Sequence, residues 1–408
     1  MPDRAPTSSV DLSSGGNEID SFGRLRVSTQ VVLFESFFTF DLQDTRWTQA
    51  LTGSGTVTRD TNANTANLNV GTASGDKVVR RSRRYIPYQA GRSQHFSMSF
   101  IFNAAKTNLR QRIGCFDDND GIFLQLSGST VSFVQRTSTS GSPSDSNAAA
   151  QSSWNIDKLD GTGPSQATID FTKIQLLIID YGWQAAGSIR VGFLINGEIV
   201  YAHVFHTANV LSLPFMKSGA MPIRLEIENT GATSGASTMK TVCFMASSES
   251  GFNPVGLIRS ASTGITAKSV STTLTPIISI RLAAANSAKS MCLINHTAMV
   301  ITTDYIEMAI VKNATLTGAS FGAVGSDSIA EFDVGASAAT GGTTIYKSYT
   351  TQSGNGAVGV SSISDIYEGF STQLGSLLDG TTETLTLLAR TTTGTADMLG
   401  ALTWREFP

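Results

Sequence analysis

Residues 189–205 read IRVGFLINGEIVYAHVF, two runs of β-branched and aromatic residues separated by Asn196-Gly197. Both central positions of a type I′ turn need positive φ, which Asn and Gly adopt at least cost, so the stretch predicts a tight antiparallel hairpin. The same two-residue period recurs elsewhere. In Ser93-Gln94-His95-Phe96-Ser97-Met98-Ser99-Phe100 it places Phe96, Met98 and Phe100 on one face and small polar side chains on the other. Thr168-Ile169-Asp170-Phe171 alternates too, and Ile174–Asp180 becomes a nearly continuous apolar run, as expected of a central strand covered on both faces. The helical period seldom persists beyond a turn, so short helices are expected only near 281–289 and 364–378.

A chain of 408 residues has material for two or three domains, each with its own core. Residues 1–18 carry almost no apolar group and read as a flexible N-terminal arm. The stretch 137–153 (TSTSGSPSDSNAAAQSS) reads as a surface loop. Linker residues in 246–256 and a shift toward Ala, Thr, Ser and Gly place a boundary at 252. The expectation is an all-β chain: a jelly-roll-like β-sandwich over 19–252, then a smaller antiparallel β-domain over 253–408. No fixed-period repeat suggests a propeller or solenoid.

Charged residues are 15% of the chain and the net charge is -3, which gives no general attraction toward nucleic acid or anionic lipid. No apolar run approaches the roughly 18 residues of a membrane span, and the N-terminus lacks the layout of a secretory signal. Cys115, Cys243 and Cys292 are odd in number and far apart, so they read as buried thiols.

Several clusters invite a chemical reading. Asp117, Asp118 and Asp120, with Asn119 between, offer hard oxygens to a cation such as calcium. The spacing breaks the EF-hand order, however, and an Asx-rich hairpin turn with Arg112 as partner is the preferred reading. Lys77-Val78-Val79-Arg80-Arg81-Ser82-Arg83-Arg84 is strongly basic, but on a strand Arg80 and Arg84 face away from Arg81 and Arg83. A subunit interface facing acidic residues fits better than a phosphate stripe. Arg24 and Arg26 are assigned to the same interface role. His203 and His206 lack a Glu or Cys at ligand spacing and carry neither metal nor catalysis. Glu226 and Glu228 share a strand face like the acid pair of a sandwich-fold glycosidase, although a solvent face balanced by Arg224 explains them. Neither a nucleophilic triad nor a nucleotide loop can be named, and no cofactor is expected.

Three segments carry a family resemblance. They are Asp20-Ser21-Phe22-Gly23-Arg24-Leu25-Arg26-Val27-Ser28, then Arg112–Gly121 with 154–165, and finally Asp180-Tyr181-Gly182-Trp183 with 192–203. Together they resemble a family of tailed-bacteriophage virion structural proteins over most of residues 20–230. The resemblance implies a non-enzymatic particle component, assembled in the host cytoplasm and resident in the virion. Its expected partners are other virion proteins and further copies of itself, with a trimer favoured and no nucleic acid or membrane. A tail, baseplate, fibre or adaptor position is the first expectation and head decoration the alternative. The expectation from another class is a glycan-binding or glycan-cleaving sandwich, taking a host glycan on Trp154, Trp183, Tyr181 or Tyr201.

Overall fold

The computed structural model describes residues 19–27, 29–249, 251–253, 255–300, 305–351, 358–362 and 372–407. The arm expected over 1–18 lies outside them. Among the described residues every regular element is a β-strand, except for 3-10 turns at Gln151–Ser153 and Ala284–Asn286. The second turn is all that forms of the helix expected over 281–289. Of the stretch 364–378, residues 372–378 are described; they hold the short strand Gln373–Leu374 and a bridge from Ser376 to Thr382.

The chain divides into two compact units, one holding residues up to 82 and 88–253, the other 83–87 and 254–408. The described residues of the first unit form fifteen strands. In chain order they are β1 (Val31–Phe37), β2 (Trp47–Thr52), β3 (Thr56–Asp60), β4 (Thr65–Val70), β5 (Lys77–Ser82), β6 (Gln94–Ile101), β7 (Leu109–Phe116) and β8 (Gly121–Ser127). There follow β9 (Thr130–Thr137), β10 (Ser144–Ala150), β11 (Gln175–Tyr181), β12 (Ile189–Ile195), β13 (Glu198–Phe205), β14 (Ile223–Asn229) and β15 (Ser237–Ser248). One antiparallel sheet runs β13-β12-β11-β6-β15-β4-β3, with β1 also on β15, and the other runs β10-β9-β8-β7-β14-β5-β2. Repeated crossing between the two sheets makes a jelly-roll-like β-sandwich.

The predicted hairpin joins β12 to β13, with Asn196 at φ 52° and Gly197 at φ 89° and Ile195 opposite Glu198. Phe96, Met98 and Phe100 are fully buried on the inner face of β6, each contributing about 1.5–3 kcal/mol of burial. Aromatic contacts tie the sheets together: Phe133 of β9 lies 5.8 Å from Phe193 of β12, and Trp47 of β2 lies 4.9 Å from Phe244 of β15. Two expectations need correction. Residues 144–150, read as loop, form the edge strand β10, because an edge needs backbone pairing with β9 and little side-chain burial. Residues 168–171 form no strand and contribute one bridge, Asp160 to Thr168.

The described residues of the second unit form two larger antiparallel sheets and a two-stranded one that pairs Thr315–Thr317 with Ala338–Thr340. Strand Ala396–Phe407 pairs with Leu257–Ser262, Lys268–Val270 and Ser290–Val300 in one, and strand Thr384–Thr391 lies between Thr275–Leu282 and Tyr305–Lys312 in the other. Trp404, Leu293 and Met398 share one core with Ile280, Leu387 and Met308. Residues 83–87 belong here: the Tyr85 carbonyl accepts from Ser290 Oγ at 2.7 Å, and the Arg83 carbonyl accepts from the Ser376 amide at 2.8 Å.

Candidate functional site

In the outer face of the first sheet, three strands place charged side chains in register. Asp180 on β11 lies opposite His95 on β6 and Arg190 on β12. Side chains opposite one another share a face, so an acid, an imidazole and a guanidinium are forced together. Asp180 is fully buried, which is costly for a carboxylate unless it is paired and hydrogen-bonded. It accepts from Tyr201 of β13 and from Arg26, stands 2.6 Å from His95 Nδ1 and lies 3.2 Å from Arg190 Nη2. Burial would push its pKa up, but His95, Arg26 and Arg190 prevail and hold it well below the usual carboxylate range. Arg26 Nε reaches Glu249 at 2.8 Å, and burial together with Asp180 pushes Glu249 upward. Burial and the neighbouring Asp180 also raise the Tyr201 phenol.

The lid on this junction is the segment Ile19–Arg26. Asp20 Oδ1 accepts the backbone amides of Phe22 and Arg24, each at 2.9 Å, and Gly23 turns the chain at φ 75°. The segment is fastened by Arg190 Nη2 to the Ile19 carbonyl (2.5 Å), Ser188 Oγ to the Ser21 carbonyl (2.6 Å) and Ser21 Oγ to Ser93 Oγ (2.7 Å). Phe22 packs so closely on Gly182 that a Cβ there would sit 2.2 Å from its ring. Beside the lid opens a cleft of about 370 Å³, lined by Ile19–Gly23, Ala186–Ser188, Arg190, Val204 and His206. Arg190 is 3% exposed, and its enclosed Nε and Nη1 have no hydrogen-bond partner among the described residues.

The predicted site residues are dispersed. Arg80 and Arg81 are not surface groups: Arg80 is fully buried over the rings of Phe38 and Trp47, each 5.6 Å away, and Arg81 is buried as well. Burial pushes Arg80 down to about 10, against Asp44 and Asp41. Arg26 is enclosed in the junction, and Arg24 pairs with Asp20 at 2.5 Å while about half exposed. Strand β5 ends at Ser82, so Arg83 and Arg84 do not continue its faces; Arg83 pairs with Glu383 at 3.1 Å inside the second unit, and Arg84 there is half-buried. Arg80 and Arg81 are therefore turned inward within the first unit, and Arg26 is half-buried at the junction.

Asp117, Asp118 and Asp120 diverge. Asp117 accepts the amides of Asn119 and Asp120, Asp118 pairs with Arg224 at 2.7 Å, and Asp120 accepts Ser138 through amide and hydroxyl, each at 2.9 Å. The turn is therefore an Asx turn whose cation is Arg224. Arg112 instead serves Gln125, Glu226 and Asp145. Among the described residues no group of three His, Cys, Asp or Glu could hold a metal ion. Glu226 is buried between Arg224 (2.5 Å) and Arg112 (3.4 Å), not on a solvent face, while Glu228 pairs with Arg110 at 2.5 Å. His203 Nδ1 accepts the Asn155 amide at 3.3 Å, and His206 is exposed on the cleft. Cys115 and Cys292 are buried and Cys243 is exposed, which corrects the third thiol.

The four aromatics proposed for glycan stacking are mostly interior. Trp154 packs 4.7 Å from Phe133, Tyr181 bonds Gln94 and the Gly219 carbonyl, Tyr201 is held at Asp180, and Trp183 alone is half-buried.

No family model and no curated protein matches the chain. Among solved structures, it is similar to a β-glucanase of Bacillus licheniformis at 11% identity (TM-score 0.36, covering 54% of this chain and 98% of that one). A legume lectin-like domain from Entamoeba histolytica is similar at 7% identity (TM-score 0.33, 54% and 98%). The carbohydrate recognition domain of Emp47p follows at 10% identity (TM-score 0.34, 54% and 97%). The class defined by these sheets is an all-β chain of jelly-roll-like sandwich type.

Proposed function

We propose that this chain is a non-enzymatic structural component of a tailed-bacteriophage particle, present in multiple copies in the tail or baseplate. What carries the reading is where the family-like segments meet. Residues 20–26, 180–183 and 192–203 are far apart in sequence, and they converge on the Asp180 junction, whose work is to clamp the segment at 19–26 onto the sandwich. A buried, cation-saturated carboxylate suits a fixed anchor better than proton transfer, which needs a group poised near working pH. The other acid pair, Glu226 and Glu228, is likewise neutralised by arginines. An anchored segment gives a means of holding neighbouring copies, with a trimer favoured.

The test is quantitative mass spectrometry of purified particles. The reading expects the chain in intact virions at a few to a few dozen copies; hundreds of copies would move it to head decoration, and absence from particles would overturn it. A second reading, glycan binding, draws on the cleft between 19–23 and 186–188. Binding of a host glycan on an array, lost when that cleft is altered, would favour it.

A further inference from the structure

We propose that copies of this chain join head to tail, with Phe40 of one copy seated in the cleft beside the Asp180 junction of the next. The contact lies between copies of the chain wherever those copies reside, so it goes beyond the virion reading and does not depend on it.

Phe40 is 89% exposed, in the loop that follows β1. A lone exposed apolar side chain is ordinary on a protein surface. The mounting of this one is not. Arg59 donates through Nε to the Phe38 carbonyl at 2.7 Å and through Nη2 to the Thr39 carbonyl, and Arg80 Nη2 donates to the Leu42 carbonyl. Arg46 Nη1 reaches back to the Glu35 carbonyl at 2.6 Å, and Gln43, at φ 51°, donates its side-chain amide to the Phe37 carbonyl at 2.6 Å. Three guanidiniums and an amide thus fix a loop that presents an aromatic ring to solvent. Rigid display lowers the ordering cost of association, and aromatic anchors are the side chains that seat in a partner's pocket.

The cleft has the size and lining for that ring. Ile19, Phe22, Ala186 and Val204 give it an apolar wall, and its volume is about 370 Å³. A cavity of about 150 Å³ already accepts benzene. Charge agrees as well. Asp41 and Asp44 stand exposed on the Phe40 loop. Arg24 neutralises Asp20, the one acid among the described lining residues, and exposed His206 offers the cleft's side a donor to a carboxylate.

Position makes the contact intermolecular. Val31, at the start of β1, pairs with Ser248 beside Gln94 and is level with the junction, whereas Phe37, at its end, pairs with Cys243. At about 3.3 Å per residue the loop and the cleft are separated by roughly 20 Å of strand. A rigid loop at that distance meets the cleft of a neighbour, not its own. Contact between two different patches runs head to tail, and it closes into a ring or extends as a stack.

The test is sedimentation velocity of the full chain over a range of concentrations, where self-association is expected. Phe40→Ala removes an exposed ring and Ala186→Trp obstructs the cleft from an exposed position, so both keep the fold. Each should weaken association by about thirtyfold or more, the scale for losing an interface anchor. His206→Glu, which sets an acid against Asp41 and Asp44, should weaken it without filling the cleft. An equimolar mixture of Phe40→Ala and Ala186→Trp should form one-to-one pairs, because one variant keeps the cleft and the other the ring. A chain that stays monomeric at its highest soluble concentration, or that associates unchanged as Phe40→Ala, would overturn the proposal. Loss in Phe40→Ala without pairing in the mixture would assign Phe40 to a self-facing contact and overturn the cleft as its receiver. Association through this contact in a chain absent from virions would support the inference and remove the virion reading alone.

Discussion

Each of the two units buries a carboxylate that fastens a segment of chain, and the two junctions differ in how completely they close. In the second unit Glu383 accepts Arg83 Nη1 at 3.1 Å, Asn313 Nδ2 at 3.2 Å, Lys312 Nζ at 2.7 Å and the Gly375 amide at 3.0 Å. Burial raises its pKa, but Lys312 and the hydrogen bonds outweigh that and lower it on balance. Residues 83–87 are thus held by a junction with every lone pair in use. In the first unit Asp180 is as fully engaged, but two enclosed nitrogens of its partner Arg190 have no hydrogen-bond partner among the described residues. Both closures are buried joints, and they differ in that the first leaves two donors of Arg190 unpaired inside it.

The comparison can be broken by removing each acid. Asp180→Asn strips the charge from a carboxylate facing Arg26, Arg190, His95 and Tyr201, and should cost about 4 kcal/mol, the scale for breaking a buried pair. Urea unfolding should show the loss in the transition of the first unit. Glu383→Gln leaves Lys312 and Arg83 unpaired and should cost about 3 kcal/mol in the second unit, with faster proteolysis near 83–87. Comparable loss in both units from either substitution would defeat the idea of two separate joints.

Gly182→Ala probes the lid of the first junction alone. Its new methyl would meet the Phe22 ring, so about 2 kcal/mol of stability should be lost, with faster hydrogen exchange across 19–26 and none in the second unit. Acid sensitivity at His203 probes the first unit without a change at the junction. Burial first, and His206 second, lower it from 6.5 to about 4, so the native state resists a proton that the unfolded chain accepts. Stability should therefore fall by about 3 kcal/mol as pH drops from about 6.5 to about 4, and this contribution should level off below. His203→Gln should flatten that slope; an unchanged slope would refute the assignment.

Much of the sandwich could be read directly because its signals are local. Asn196-Gly197 dictates a turn within two residues, and Phe96, Met98 and Phe100 reveal their face by alternation. Strand β10 was hidden because Ser, Asn and Ala at a sheet edge carry no such alternation. The junction was hidden for a different reason: Arg26 and Asp180 are 154 residues apart, and only register brings them together. One signal was available, an aspartate closing the apolar run at 174–180, since a charge on a buried strand requires a cation. Arg80 misled because a cation in a basic run reads as exposed, whereas here its stem and guanidinium lie over two aromatic rings.

The Asp180 junction clamps residues 19–26 onto the sandwich, and the proposed particle role needs that clamp in every copy. Cryo-electron microscopy of intact virions tests it most directly. Repeated copies of the chain in the tail, with Arg26 seated on Asp180 in each, are expected. Tail density fully assigned to other chains, or copies in which residues 19–26 have left Asp180, would contradict it.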